Sequence, residues 1–203
     1  FDTPTDLETG YYMLATGSRL ADGSVLANVS FLNIGPNRTT ETDLPMRDNS
    51  EAVRVIGSFN SESKFIDART GRETSVLLTA GRGYFVVGLV GVGQEPTDHA
   101  LKDIAAKAAE LEQWGRSIIL LFPDETAYAK YAASPAAPLP QTVTFGIDRD
   151  GSVRRQILDT MHLPGNAPLP VFLIGDTFNR VVFESHGYTI GLGDRFLHTI
   201  HQL

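Results

Sequence analysis

The sequence predicts an α/β protein, a sheet with helices on both faces, preceded by a small all-β, sandwich-like domain. Three observations carry this. Residues 84–90 and 117–122 are almost uninterrupted apolar runs, the mark of strands buried on both faces. After residue 73, strand-like and helix-like segments alternate as β-β-α-β-α-β-α-β-β-α, the pattern of a layered sheet. Before residue 60, short strand-like runs are separated by turn signals, and the first helical period comes only at about residue 95. The expected domains are residues 1–60 and 61–203.

The first domain opens with "GYYMLATGSRL", then "ADG", then "SVLANVSFLNI". This reads as a hairpin turning at Asp22-Gly23, because glycine tolerates the positive φ of a tight turn. "GPNR" (35–38) is a further turn. "TTETDLPMR" alternates through Thr40, Thr42, Leu44 and Met46 like a half-buried strand, and "EAVRVIGSF" reads as another. Four or five short strands suggest a small sandwich, which needs a surface to pack on.

In the second domain, "TSVLLTAG" and "GYFVVGLVGV" read as strands. Ala100, Leu101, Ile104, Ala105, Ala108, Leu111 and Trp114 then recur at helical spacing over 97–114, with Gly115 as a stop. "SIILLF" is a strand, and "DETAYAKYAA" is a helix with Asp124 as its N-cap. "SPAAPLPQ" is a proline-rich loop. "TVTFGID" is a strand, and "DGSVRRQILDTMHL" turns into a helix. "PVFLIGD" and "RVVFES" form a hairpin through "TFN", and "GLGDRFLHTIHQL" is the last helix.

Composition narrows the function. The net charge of −7 weighs against nucleic acid, whose phosphates call for clustered Lys and Arg. No apolar run reaches the roughly 18 residues that cross a membrane. There is no cysteine, which removes disulfides, thiolate metal sites and thiol catalysis together. The start at Phe1 suggests a piece of a longer or processed chain.

With these segments in place, residues 61–203 resemble the thioredoxin-like family, in its membrane-anchored and peroxiredoxin-like branches. "GRGYFVVGLVGVGQEPTDHAL" is similar to the family's first core strand, redox corner and long helix. "PLPVFLIGDTFNRVVFESHGYT" is similar to its cis-proline segment and the hairpin that follows. The resemblance sets Gln94 and Thr97 where the two redox cysteines stand, with Glu95 and Pro96 between them, and Pro170 after Leu169 at the cis-proline place. The departure decides the chemistry, because dithiol exchange needs a thiolate. The whole chain also resembles the C-terminal part of large bacterial proteins that carry a transglutaminase-like domain upstream. That resemblance implies an extracytoplasmic setting, while the transglutaminase-like cysteine is not in this chain.

The corner itself has three readings. A helix starting near Pro96 or Thr97, capped by Thr97 or Asp98, is a sound structural feature in its own right. Its free N–H groups also suit a peptide or small anion. Glu95 and His99 could instead act as acid and base. Glu95, His99 and Asp103 share one helical face, which more often holds charge pairs than a metal. His198 and His201, three apart, read as surface or satisfied side chains, and His162 and His186 have no evident partner. "GSRLADGS", "GVGQEP" and "GYTIGLGD" lack the spacing of a phosphate loop. Tyr11-Tyr12 could stack on a sugar, although one of the two should face the core.

The expected function is therefore a non-catalytic binding or scaffolding module of a larger secreted or envelope protein, with no cofactor and no metal. Its binding residues are Gln94, Glu95, Pro96, Thr97, His99, Leu169 and Pro170. The expected partners are other domains of the parent protein or an extended peptide. The alternative is a cysteine-independent hydrolase or transferase working through Glu95 and His99.

Overall fold

The computed structural model describes residues 8–21, 25–36, 47–48 and 53–203. The chain divides into two compact units, Phe1–Ala52 and Val53–Leu203.

The smaller unit holds one three-stranded antiparallel sheet, β1 (Gly10–Arg19), β2 (Val25–Ile34) and β3 (Arg47–Asp48). The expected hairpin is present, with Gly10 opposite Ile34 and Arg19 opposite Val25. Its Asp22-Gly23 turn lies outside the described residues, as do Thr40, Thr42, Leu44 and Met46. Among the described residues the unit is a single sheet, not a sandwich. Alternation along β1 leaves Tyr12 and Leu14 half-buried and Tyr11 and Met13 exposed. The Tyr12 hydroxyl donates to the Glu8 carbonyl.

The larger unit is an eight-stranded mixed sheet. In chain order its strands and helices are β4 (Gly57–Ser58), β5 (Lys64–Asp67), β6 (Glu73–Ser75), α1 (Val76–Ala80), β7 (Tyr84–Leu89), α2 (Glu95–Ala106), α3 (Ala108–Trp114), β8 (Ile118–Phe122), α4 (Glu125–Ala133), β9 (Val143–Ile147), α5 (Ser152–Thr160), β10 (Val171–Asp176), β11 (Arg180–His186) and α6 (Leu192–Ile200). Across the sheet the order is β4-β11-β10-β7-β8-β9-β5-β6. β7, β8 and β9 run parallel, and the flanking strands are antiparallel. Because β4 pairs with β11 at Arg180 and Val181, residues 57–58 belong to this sheet.

The apolar runs are buried on both faces, as their composition requires. Val86, Val90, Ile118, Leu120, Phe172 and Ile174 face α2, α3 and α6. Phe85, Val87, Leu89, Ile119, Leu121 and Leu173 face Val76 of α1 and Val153 and Ile157 of α5. Each fully buried side chain of this kind contributes about 1.5–3 kcal/mol relative to exposure.

Two expectations about elements are corrected. "TSVLLTAG" is a strand only to Ser75 and then turns into α1. The Ser75 hydroxyl accepts the Leu78 N–H at 3.2 Å, an N-cap that outweighs the strand preference of the residues after it. A helix is thus present before residue 95. The helix expected over 97–114 is two helices that meet at Lys107, whose φ of −111° breaks the helical ladder.

Asp176 and Asn179 shape the β10–β11 hairpin. Asp176 is buried, and its carboxylate accepts the N–H groups of Phe178 and Arg180 and pairs with the Arg180 guanidinium. Asn179 takes a φ of +65°, a conformation asparagine tolerates better than most residues. Its side-chain oxygen accepts both the N–H and the hydroxyl of Ser61.

Candidate functional site

Three loops leave the same end of the sheet from neighbouring strands. Val171, the first residue of β10, lies opposite Leu89, the last of β7, and opposite His186, the last of β11. Register alone therefore gathers residues 90–97, Leu169–Pro170 and residues 187–191.

The first loop is the corner. Gly93 takes a φ of +66°, and α2 begins at Glu95 with Gln94 as its N-cap and Pro96 in its first turn. The start is one or two residues earlier than expected, and neither Thr97 nor Asp98 caps it. Thr97 is buried instead, and its hydroxyl accepts the Gly91 N–H at 3.2 Å, which ties the loop down from within the first turn. Gln94 and Glu95 are exposed and make no side-chain cap bond. The Gln94 amide lies over Gly91 so closely that a Cβ there would stand 2.5 Å from Oε1. A Cβ on Gly93 would meet the Lys130 ammonium at 3.3 Å, so a cation from α4 sits beside the corner.

The second loop carries the Leu169–Pro170 peptide bond in the cis form. The Pro170 carbonyl accepts the Gly187 N–H at 2.7 Å, which joins this loop to the third. Among the described residues, neither the N–H nor the C=O of Leu169 has a hydrogen-bond partner.

The third loop folds back through the Ser185 and Thr189 hydroxyls, 2.7 Å apart. Tyr188 is half-exposed and stacks on His99 with ring centroids 4.7 Å apart, and Ile190 is exposed. His99 Nε2 is buried without a hydrogen bond and lies 3.7 Å from Asp103 Oδ2. Asp103 in turn accepts the Leu192 N–H at the start of α6. Lys107 pairs with Asp194 at 2.7 Å, and that hydrogen bond holds the Lys107 ammonium above its ordinary pKa.

The sequence-derived residues therefore separate into two groups. Gln94, Glu95, Pro96, Thr97, Leu169 and Pro170 stand on adjoining loops at one end of the sheet. His99 is engaged by Tyr188 and Asp103, and it makes no hydrogen bond or ion pair with Glu95. Sequence reasoning missed Tyr188, Gly187 and Lys130. None belongs to a recognisable spacing, and only the fold brings them to the corner. His162, His186, His198 and His201 are exposed, and His198 Nε2 lies 3.1 Å from the Gln202 amide. Among the described residues, no group of three or more His, Asp or Glu is placed to hold a metal ion, and no helix is long and apolar enough to cross a membrane.

No family model and no curated protein matches the chain. Solved structures do. A putative thiol:disulfide interchange protein DsbE from Chlorobium tepidum matches at 14% identity and a TM-score of 0.53, over 72% of this chain and 96% of that one. Peroxidoxin BcpB from Mycobacterium tuberculosis matches at 14% identity and a TM-score of 0.56, over 73% and 97%. BsSco, a member of the Sco family of cytochrome c oxidase assembly proteins, matches at 13% and 0.56, over 75% and 96%. At these identities the likeness is one of fold: residues 53–203 form a thioredoxin-like sheet, and they do so without a cysteine.

Proposed function

We propose that the chain is a redox-inactive thioredoxin-like module that binds an extended peptide across the corner and the Leu169–Pro170 loop. The observation that carries the reading is the unpartnered N–H and C=O of Leu169 at the head of β10. A backbone donor and acceptor side by side at a strand end suit main-chain pairing with an incoming segment. Gln94, Glu95 and Pro96 on one side and Tyr188 on the other would line its path. Thiol exchange and thiol-based peroxide reduction are closed to the chain itself, because both need a thiolate. The resemblance to transglutaminase-like proteins supports a larger envelope or secreted parent protein, with the peptide drawn from a neighbouring domain.

An amide-resolved NMR titration of the 203-residue chain with blocked, extended hexapeptides tests this. Shifts gathered at the amides of residues 94, 95, 97–99, 169 and 187 are expected. N-methylation of the peptide's central amide should weaken binding by about fivefold, the loss of one hydrogen bond. Shifts confined to residues 1–60, or none at all, would remove the reading.

A further inference from the structure

A second concavity lies away from the three loops, between α4 and the proline-rich segment that leads to β9. It is a half-open cavity of about 370 Å³, within the range of small-molecule pockets. Tyr128, Tyr131 and Phe145 line it, and Pro135, Pro138 and Pro140 stand around it. Its origin is legible in the sequence. α4 reads "ETAYAKYAA", and of its nine residues only Tyr131 is buried. Of its alanines Ala132 lines the cavity and leaves space that a larger side chain would fill. In the segment that follows, proline fixes φ and stiffens the loop against collapse into that space. The cavity is thus held open before any ligand arrives, which lowers the cost of binding.

Its chemistry is uniform. No charged residue lines it, in a chain that is 20% charged. The rings of Tyr128 and Tyr131 pack on Phe122 and Phe145 at centroid separations of 5.2–5.9 Å, so their positions are set by the core. Neither tyrosine hydroxyl has a hydrogen-bond partner among the described residues. Burial, with Tyr128 and Asp98 nearby, pushes the Tyr131 phenol above its ordinary pKa, so it stays a neutral hydroxyl, able to accept an N–H as well as to donate.

We infer that this cavity is a binding site for an uncharged aromatic small molecule, held flat by the tyrosine and proline faces and anchored by a tyrosine hydroxyl. An anionic ligand would be stripped of water with no cationic side chain in the lining to meet it. An aliphatic one would leave the aromatic faces without stacking partners.

Indole is the probe, titrated into the full chain and followed by amide and side-chain NMR. Saturable shifts confined to residues 128–145 are expected. Indole-3-acetate should bind at least about tenfold more weakly. Ala132→Leu lies on the exposed side of α4 and fills the cavity without removing a core side chain, so it should abolish the shifts while the rest of the spectrum stays in place. Tyr128→Phe, which keeps the ring, should weaken indole by about fivefold. No saturable shift, equal binding of indole-3-acetate, or undiminished binding to Ala132→Leu would overturn the assignment.

Discussion

The carboxylate of Asp103, in α2, accepts the N–H of Leu192, the first residue of α6, at 3.0 Å. One helix thereby supplies the cap of another. The N-cap position of α6 is Gly191, which has no side chain to offer. The two helices approach closely there: a Cβ on Gly193 would lie 2.5 Å from the Asp103 carbonyl oxygen and 2.8 Å from Lys107 Cγ.

Removing that cap should destabilise the start of α6. Asp103→Ala is expected to destabilise the larger unit by about 1–2 kcal/mol, the usual range for a lost N-cap. Asp103→Asn, which keeps an acceptor, should lose less. Gly193→Ala should cost about 1–3 kcal/mol through overpacking at the crossing. Urea unfolding of the three variants checks the order, and an Asp103→Asn variant as weak as Asp103→Ala would refute the cap.

Asp148 should make stability depend on pH in the sense opposite to a salt-bridged carboxylate. It is 4% exposed, and it accepts the N–H groups of Val153 and Arg154 at the start of α5 at 3.1 and 2.7 Å. Burial nonetheless pushes its pKa up. The folded state therefore holds the proton more tightly than the unfolded chain does. Its stabilising contribution is complete below the unfolded value of about 3.9 and is lost as pH rises through the higher folded value. Asp148→Asn should thus show its largest deficit, about 1–3 kcal/mol, in acid and a smaller one at neutral pH. Carboxyl carbon titration by NMR should place Asp148 above the exposed aspartates, and a deficit that grows with pH would contradict the assignment.

The corner should still activate a thiol placed on it. Gln94 is exposed at the N-cap of α2, where free N–H groups carry partial positive charge, and the Lys130 ammonium is close by. The thiol of Gln94→Cys should therefore titrate below the free value of about 8.5, seen as thiolate absorbance against pH. Thr97 is 2% exposed, so Thr97→Cys should resist thiol reagents in the folded protein. A Gln94→Cys thiol at or above the free value would show that Glu95 and Asp98, in the same helical turn, cancel the helix end.

The sequence foretold the layers better than the joints. Residues 84–90 and 117–122 announce themselves because strands buried on both faces need apolar side chains at every position. The Asp124 cap of α4 was legible because cap and capped N–H lie three residues apart. Ser75 carries the same kind of signal, but the Val-Leu-Leu that follows suits a strand as well as a helix, and α1 is only five residues long. The Asp103–Leu192 bond joins positions 89 residues apart, and no local pattern can express it. The candidate site shows the same division. Gln94–Thr97 and Pro170 could be placed by resemblance, whereas Tyr188 and Lys130 reach the corner only through the register of β7, β10 and β11 and the packing of α4.

The strand order has a further consequence for how the chain is made. β7 sits in the middle of the sheet, yet one of its two neighbours, β10, is not complete until residue 176. A growing chain emerges from its N-terminus at about 5–20 residues per second. The edge of Tyr84–Leu89 that β10 will cover then remains open for several seconds, with β8 alone beside it. Over that interval the nascent protein presents a bare apolar strand to its surroundings, and a chaperone that shields strand edges would have its point of action there.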